Sequence, residues 1–364
     1  MIVAVLGAGN VGCALAGDLA LRGCEVRLFT RSAERRGEIR EAGAITLHGA
    51  IEGRVAVPVA DTVAEAADGA GVVVLAVPTP ALLWYGPPLI EATSDDQVIL
   101  CDPGHSGGVL FLAAEFRRRA PGRRPRLAQL TTASHGSRLS DPTTVGLFGL
   151  PQVGLGAFPA WQTGECAERL APLLPGGHIR LTSVLEADLL NVNAVIHPAG
   201  MVANAGWLEA TGGNFAFYHD GISPAVARVI EAVEAERAGL AAALGVPTVP
   251  ILVDLERAGY TEPGSAAGPG FHAALQGSAA VRAVKAPPSL DHRYLHEDVG
   301  WGLVPWMALA GLVGLRTPAM AAVTDLAGLL NAIDYRTAGL TLDRLGLGGM
   351  TAAEIRAYTD LGMT

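Results

Sequence analysis

The sequence predicts an α/β domain followed by an all-helical domain. Short β-branched runs alternate with helical patterns over 1–185, which is the signature of a parallel sheet covered by helices. A glycine-rich turn joins the first of these runs to the first predicted helix. Over 186–364, helical periodicity rich in alanine replaces the β-branched runs. We therefore expect two domains with these boundaries.

Each predicted strand of the first domain is a short apolar run that ends at a turn residue. The strands in chain order are 2–6, 25–29, 45–49 paired with 54–59, 72–78, 97–104 and 126–132, and 146–158 is predicted to form a hairpin. A helix over 10–23 follows the first strand. In the second domain an apolar stripe over 224–245, with Pro224 in the first turn and Gly245 at the end, predicts a long helix. The segment 302–330 has similar spacing.

Composition and charge exclude several classes of protein. Half of the residues are apolar and 17% are charged, so the chain has ample material for a core. The formal net charge of −9 argues against nucleic acid or an anionic membrane as the main partner. The four cysteines form no C-x-x-C pair, so we expect reduced thiols and no metal site. The start of the chain lacks a signal-peptide pattern and no apolar stretch reaches the length of a membrane span, so we expect a cytoplasmic protein.

The segment GAGNVG (7–12) follows the first predicted strand and opens the first predicted helix. In that context G-x-G-x-x-G is the fingerprint of a Rossmann-type dinucleotide-binding domain. Its glycines would form the turn, admit the pyrophosphate and allow close packing of the helix on the strand, so that the phosphates lie on free N–H groups at the helix N-terminus. The residues expected to contact the cofactor here, or at the end of the strand 72–78, are Gly7, Gly9, Asn10, Val11, Gly12, Val77 and Pro78.

The end of the second predicted strand bears on the choice of cofactor. An enzyme that uses NAD usually has an acidic residue there, which accepts a hydrogen bond from the ribose 2′-OH. This chain instead has Thr30, Arg31 and Ser32. An arginine binds a 2′-phosphate that a carboxylate would repel. The sequence therefore favours NADP(H) over NAD(H).

Two stretches of the second domain are unusual for elements that only pack. NAVIHPAG (193–200) sets His197 in an apolar run directly before Pro198, and DHRYLHEDVGWGLVP (291–305) gathers charged residues ahead of an apolar helix. The alternatives to a functional role are a hydrogen-bonded core histidine and charges that cap a helix. A histidine is nevertheless the side chain best suited to exchange protons near neutral pH.

Together with further motifs, these stretches resemble the opine dehydrogenase family along nearly the whole chain. The motifs are GAGNVG, PGHSGG (103–108), NAVIHPAG, FYHDGISPAVARVIEAVEAER (217–237), RYLHEDVGWGLVP and TAGLTLDRLGL (337–347). The resemblance implies that an amino acid and a 2-oxo acid condense to an imine, which NAD(P)H reduces. It implies that His197 and Asp298 form the family's His–Asp dyad and that Arg293 contacts the cofactor pyrophosphate as the two domains close.

The resemblance also indicates where the substrates bind. The loop carrying His105 and the loop 131–138 are expected near the reacting carbons, and aromatic residues are candidates for the amino-acid pocket. The expected substrate contacts are His105, Thr132, His135, Asn193 and Trp207, with Phe215, Tyr218 and Trp301 as further aromatic candidates. His135 is also an alternative proton donor. Departures from the family pattern at His296, Gly300 and the 131–138 loop bear on substrate identity more than on the reaction type.

Two alternatives remain at this stage. A ketopantoate-reductase-like enzyme would reduce a 2-oxo acid alone, but such enzymes use a lysine early in the helical domain, whereas the only lysine here is Lys285. A catalytically silent NADP(H)-binding regulatory protein would keep the fold and lose the chemistry. The sequence leaves the oligomeric state open, with a homodimer as one candidate. The expected partners are small molecules, namely a 2-oxo acid and an amino acid or amine.

Overall fold

The computed structural model describes residues 1–362, which form two compact units. The first unit comprises Met1–Gly104, Gly108–Val184 and the residues from Tyr358 on, and the second comprises His105–Gly107 and Leu185–Ala357. The junction at Val184 and Leu185 lies next to the expected boundary. Two short segments depart from the expected division. Residues 105–107 belong to the second unit, and the residues from Tyr358 on belong to the first.

A seven-stranded sheet forms the centre of the first unit. Its strands are β1 Ile2–Leu6, β2 Glu25–Phe29, β5 Val72–Leu75, β6 Val98–Cys101, β7 Arg126–Leu130, β10 Val153–Phe158 and β11 His178–Arg180, in the order β11-β10-β7-β6-β5-β1-β2. All neighbours are parallel except β10 and β7. β5 and β6 are buried throughout and wholly apolar, as expected for strands covered on both faces.

A smaller sheet accompanies the large one in the first unit. It consists of β3 Ile45–Gly49, β4 Gly53–Val55, β8 Gly136–Leu139 and β9 Thr144–Gly149, in the order β4-β3-β9-β8. The predicted pairing of β3 with β4 is confirmed, in antiparallel register. The predicted hairpin over 146–158 is wrong, because β9 pairs with β3 and β8 while β10 joins the large sheet. Every residue of β10 is buried, which suits a strand inside a covered sheet and not a hairpin at a surface.

Helices cover the sheets of the first unit. They are α1 Asn10–Leu21, α2 Ala33–Ala42, α3 Val63–Ala67, α4 Leu82–Ala92, α5 Gly108–Arg119 and α6 Thr163–Leu170. α1 contacts β1 and β2 of the large sheet and β3 and β8 of the small one. Many residues on its buried face are small. One of them is Gly17, and the Leu47 side chain of β3 lies close to it. The main core of the unit therefore surrounds α1.

The rest of the chain is helical. Its helices are α7 Val184–Leu189, α8 Val192–Ala203, α9 Ala205–Thr211, α10 Pro224–Leu244, α11 Ile251–Arg257, α12 Phe271–Gly277, α13 Arg293–Asp298, α14 Val304–Leu312, α15 Pro318–Asn331, α16 Tyr335–Ala338 and α17 Ala352–Leu361. The predicted long helix is confirmed as α10: the Ser223 hydroxyl caps its N-terminus and Gly245 ends it at φ +65°. The helical spacing over 302–330 corresponds to two helices, because the chain turns at Gly314, whose φ is +69°.

A π-helical turn, Val299–Leu303, joins α13 to α14 and packs against α8. A Cβ atom on Gly302 would lie 2.8 Å from the Cβ of Ala194, so only a glycine lets the turn approach α8 this closely. On the opposite flank of α8, a Cβ on Gly200 would lie 2.7 Å from the Phe217 ring. These two close contacts bring the end of α13 and the segment around Phe217 toward the middle of α8.

Within residues 1–362, no helix combines the length and the apolar character needed to cross a bilayer. The same part of the chain contains no group of three or more histidine, cysteine or acidic side chains arranged to hold a metal ion.

Candidate active site

The glycine turn of the first unit has the geometry of a dinucleotide cradle. Gly7 ends β1 at φ +116°, and a Cβ there would overlap the Ala76 carbonyl and lie 2.7 Å from the Val77 side chain. A Cβ on Gly12 would overlap the Gly7 carbonyl oxygen, which fixes the close approach of α1 to β1. At Gly9, which precedes α1, a Cβ would meet nothing within 4 Å. The turn thus leaves open space beside the free N–H groups of the first turn of α1, as a pyrophosphate requires.

Other predicted cofactor residues lie around this turn. Asn10 accepts a hydrogen bond from the Leu139 backbone N–H at 2.9 Å, so its side chain ties α1 to β8. Val11 packs against the core of the unit. Val77 lies against Gly7, and Pro78 precedes a single 3₁₀ turn. For Asn10 and Val11 the structure therefore gives a packing reason for the residue type.

The end of β2 presents one exposed arginine. The Arg31 side chain is exposed, and its backbone N–H donates to the Tyr85 hydroxyl at 3.2 Å. Ser32 caps α2 by accepting from the Arg35 N–H, and Thr30 is buried. Arg36 donates to the Thr30 carbonyl at 2.6 Å. Of the arginines that follow β2, Arg35 and Arg36 therefore bind the chain itself, while Arg31 faces solvent.

In the second unit, His197 and Asp298 form a buried pair. The Nδ1 of His197, in the middle of α8, lies 2.7 Å from the Asp298 Oδ2 at the end of α13. The His197 Nε2 lies 2.7 Å from the Tyr218 hydroxyl. The Tyr294 ring stacks on the imidazole with centroids 3.6 Å apart and an interplanar angle of 11°. The His197 side chain is 5% exposed and that of Asp298 is not exposed.

Burial dominates the electrostatics of this pair. It lowers the pKa of His197 well below its ordinary value, and the Arg293 charge acts in the same direction. It raises the pKa of Asp298 to about 7, with Glu297 also raising it and His105 and Arg293 opposing. Both pKa shifts favour the uncharged forms, a neutral imidazole on His197 and a protonated carboxyl on Asp298. The Asp298 carboxyl therefore changes its protonation around neutral pH, in the range where an acid–base catalyst works.

Arg293 belongs to the same network. Its Nε donates to the Glu297 Oε2 at 2.8 Å, one helical turn along α13, and its Nη2 lies 3.2 Å from the His105 Nε2. Glu297 is 1% exposed, so this buried carboxylate is held by the arginine and by His105 at 3.4 Å. His105 has φ +47°, an uncommon conformation for a residue with a side chain, and its Nδ1 lies 3.2 Å from the Asn191 Oδ1. His105, Arg293 and Glu297 thus form one cluster of polar contacts, and their charges act on the Asp298 carboxyl.

The remaining predicted substrate residues lie in different environments. His135 is fully buried in the first unit, with its Nδ1 2.8 Å from the Ser134 hydroxyl and its Nε2 3.2 Å from the Asp18 carboxylate. Both ring nitrogens of His135 therefore have partners within the first unit, and its place as an alternative proton donor stays a prediction. Thr132 is buried in the same loop. Asn193 lies one helical turn before His197 on α8, and Trp207 stacks on Phe215 with centroids 4.0 Å apart.

Two residues in direct contact with the His–Asp pair were not predicted as catalytic. Tyr218 was a candidate only for the amino-acid pocket, and Tyr294 was singled out only as part of a charged motif. The partial signal for both was their place in motifs, FYHDG and RYLHED, that carry the family resemblance. Their contacts with His197 depend on packing between distant segments, which the sequence spacing does not reveal.

A Rossmann-type unit with an open glycine cradle and a helical unit with a buried His–Asp pair define an NAD(P)-dependent oxidoreductase. The family model for the helical domain of NAD/NADP octopine/nopaline dehydrogenases matches residues 180–331. The model for the N-terminus of NAD-dependent glycerol-3-phosphate dehydrogenases matches residues 2–101. An opine dehydrogenase of Arthrobacter sp. (strain 1C) is 33% identical over 361 residues, which cover 98% of each chain. The chain belongs to the opine dehydrogenase family, as its motifs predicted.

Solved structures show the same fold. Octopine dehydrogenase with NADH and L-arginine superposes with a TM-score of 0.78 at 20% identity, covering 98% of this chain and 97% of that one. Yersinopine dehydrogenase with NADP⁺ bound gives a TM-score of 0.76 at 17% identity, covering 100% of this chain and 98% of that one. The predicted fold class, a dinucleotide-binding α/β domain followed by an all-helical domain, is confirmed.

Proposed function

We propose that this protein joins the amine of an amino acid to the carbonyl carbon of a 2-oxo acid by NAD(P)H-dependent reductive condensation. The amine and the carbonyl form an imine with loss of water, and reduction of the imine gives an N-(carboxyalkyl) amino acid, in a reversible reaction. The observation that carries this proposal is the buried pair of His197 and Asp298, in a chain whose 33%-identical relative bears the name opine dehydrogenase. The octopine dehydrogenase structure with NADH and L-arginine supports an amino acid as one substrate.

His197 is the proton donor and acceptor. Asp298 accepts the hydrogen bond from the His197 Nδ1, which fixes the tautomer and leaves Nε2 as the nitrogen that exchanges the catalytic proton. When Nε2 carries a proton, Asp298 stabilises the imidazolium that forms. The low exposure of both side chains keeps bulk water from competing for this proton.

Residues 1–185 hold the cofactor and residues 186–364 supply the acid–base groups. A bound nicotinamide dinucleotide supplies the hydride. The glycine turn holds its pyrophosphate, and Arg293 contributes a positive charge there, as the family resemblance implies. Thr30, Arg31 and Ser32 face the adenosine ribose, and the exposed guanidinium of Arg31 favours NADP(H). Val77 and Pro78 border the turn on the side of β5.

The proposed substrate contacts come from residues of each unit. Asn193 is four residues before it on α8, a spacing that places both side chains on the same helix face. His105 and Arg293 offer hydrogen-bond donors suited to a carboxylate, and Thr132 supplies a hydroxyl. The stacked pair of Trp207 and Phe215 offers an apolar surface to the side chain of the amino acid.

Cofactor oxidation measured with each substrate alone and with both together tests this function. We expect NADPH consumption only when a 2-oxo acid and an amino acid are both present. Consumption with the oxo acid alone would indicate a ketopantoate-reductase-like enzyme, and binding of NADPH without turnover would indicate a regulatory protein. His197→Gln should keep cofactor affinity and lose about 100-fold or more in kcat, since general acid–base catalysis contributes that much. Unchanged turnover in this variant would contradict the role of His197.

A further inference from the structure

The His197 ring has little free surface. Its Nδ1 lies 2.7 Å from Asp298 and its Nε2 lies 2.7 Å from the Tyr218 hydroxyl. Tyr294 covers one face, and Phe217 approaches with its centroid at 5.9 Å and an interplanar angle of 68°. A proton that leaves or enters Nε2 in this arrangement therefore meets the Tyr218 oxygen first.

Tyr218 is placed at this position by specific packing. It follows Phe217, which fits against Gly200 on α8, one turn after His197. The Asn204 side chain donates to the carbonyls of Gly200 and Gly221 at 2.8 and 2.9 Å, which ties α8 to the segment that carries Tyr218. Tyr218 is partly exposed, whereas His197 is buried. The Tyr218 hydroxyl is the next member of the hydrogen-bonded series after Asp298 and His197.

The protonation of Tyr218 suits a group that both gives and receives a proton. Burial raises its pKa well above the ordinary value, and the neighbouring Tyr294 adds to this effect. The phenol therefore stays protonated at neutral pH. It donates to a neutral His197 Nε2, and it accepts from Nε2 when the imidazole is protonated.

We propose that the Tyr218 hydroxyl passes the proton between His197 and the substrate. This inference rests on the proposed function. As the imine carbon receives hydride, the C=N π electrons move to nitrogen, the Tyr218 O–H bond breaks and its proton forms the new N–H bond. The Tyr218 oxygen takes the proton from the His197 Nε2. The pair of His197 and Asp298, which held two protons before the step, keeps one, in the hydrogen bond between Nδ1 and Oδ2. In the oxidative direction the same protons move in reverse.

Tyr218→Phe tests the relay, because it removes the hydroxyl and keeps the ring. We expect kcat for the amine-dependent reaction to fall about 100-fold or more, with cofactor affinity unchanged. A kcat within about threefold of wild type would overturn the relay. If the wild-type protein shows no amine-dependent turnover, the proposed function itself fails, and that outcome is distinct from a failure of the relay.

The second unit offers a matched control. The Tyr335 hydroxyl lies 2.8 Å from the His296 Nδ1, and the His296 Nε2 lies 2.8 Å from Asp291. Here too a phenol, an imidazole and a carboxylate are hydrogen-bonded in series, but the carboxylate is Asp291 and not Asp298. Tyr335→Phe should therefore leave kcat unchanged. An equal loss of activity in both variants would indicate a general structural effect and would overturn the relay.

Replacing Tyr218 with a fluorotyrosine separates a relay from a residue that only positions His197. The hydroxyl and ring shape are kept while the phenol pKa falls, and folding is preserved even if the phenylalanine variant is unstable. A relay breaks and re-forms the Tyr218 O–H bond, so it predicts that kcat at neutral pH changes progressively as added fluorine atoms lower the phenol pKa. A kcat that does not depend on the number of fluorine atoms would show that Tyr218 only positions the imidazole, and would overturn the relay.

Discussion

The His197 imidazole has a hydrogen bond on each ring nitrogen, so its neighbours determine its protonation more than water does. Asp298 is its most important neighbour. A buried carboxylate resists ionisation, yet an imidazolium beside it would be stabilised by the negative charge. The Asp298 carboxyl therefore changes its protonation near neutral pH, within hydrogen-bond distance of the imidazole. The same property makes Asp298 a pH-dependent element of stability.

Asp298→Asn is predicted to change the dependence of stability on pH. Burial raises the Asp298 pKa in the folded protein to about 7, above its ordinary value of 3.8, so the folded state binds more protons between these values. The wild-type protein therefore loses stability as pH rises through this range, while the asparagine variant does not. The difference in Tm, variant minus wild type, should increase between about pH 4 and about pH 7 and then level off, corresponding to a few kcal/mol at most.

Asp291→Asn is the control for this measurement. Asp291 also lies 2.8 Å from a histidine nitrogen, on His296, but its side chain is 92% exposed. An exposed ion pair is screened by water and contributes little. The control should show a Tm difference that does not change with pH. A pH-independent difference for Asp298→Asn would contradict the assignment of a buried, protonatable carboxylate.

At the scale of elements, Gly9 and Gly12 in the turn between β1 and α1 should respond differently to replacement by alanine, so each variant is a control for the other. Gly9→Ala adds a methyl group where the chain has open space, so folding should be unaffected. The methyl would occupy space needed by the pyrophosphate, and affinity for NAD(P)H should fall about 10-fold or more. Cofactor titration by fluorescence, with Tm measured in parallel, tests both expectations. Wild-type affinity in this variant would contradict the placement of the cofactor.

Gly12→Ala in the same turn should behave differently. Its Cβ would overlap the Gly7 carbonyl oxygen, so α1 must move away from β1. Such overpacking usually costs about 1–3 kcal/mol of stability. We therefore expect a lower Tm together with weaker cofactor binding. An unchanged Tm would contradict the close packing of α1 on β1 at Gly12.

Arg31, in the loop after β2, is expected to determine the preference for NADPH over NADH. Arg31→Ala should raise KM for NADPH about 10-fold or more and change KM for NADH less than about twofold, because only NADPH offers the 2′-phosphate to a charged hydrogen bond. Arg40→Ala is the control: Arg40 lies on α2 and pairs with Asp61 at 2.8 Å. It should affect neither cofactor. Equal changes for both cofactors in Arg31→Ala would contradict the preference for NADP(H).

Elements with local signals could be predicted from the sequence. α10 has a serine cap, a proline in its first turn and a glycine at its end, and its bounds follow from these residues. The turn at Gly7 was predictable for the same reason. The hairpin over 146–158 was wrong because strand partners are set by tertiary packing: β9 pairs with β3, which lies far back in the chain.

The site could be predicted only in part, for a related reason. His197 and Asp298 were found through motif resemblance, and the structure places them in hydrogen-bond contact. The contact of Tyr218 with His197 depends on the fit of Phe217 against Gly200, which no spacing along the chain encodes. Likewise, Arg35 and Arg36 could not be distinguished from Arg31 until their carbonyl partners were seen.

At the scale of the whole molecule, the predicted order of an α/β domain followed by a helical domain is confirmed, and we propose a different task for each unit. One has the glycine cradle, and the other has the His–Asp pair. The full-length similarity to an opine dehydrogenase agrees with this division of roles. The missing early lysine separates the chain from ketopantoate-reductase-like enzymes on chemical grounds, since the proton donor that we propose is an imidazole.

The most direct test of reductive condensation follows the hydride into the product. The protein is incubated with NADPH deuterated at C4 of the nicotinamide, with an amino acid and with pyruvate or 2-oxoglutarate, and the products are analysed by mass spectrometry and NMR. We predict an N-(carboxyalkyl) amino acid with one deuterium on the former carbonyl carbon, and no such product from His197→Gln. Deuterium found only in a 2-hydroxy acid, formed equally well without the amino acid, would contradict this function.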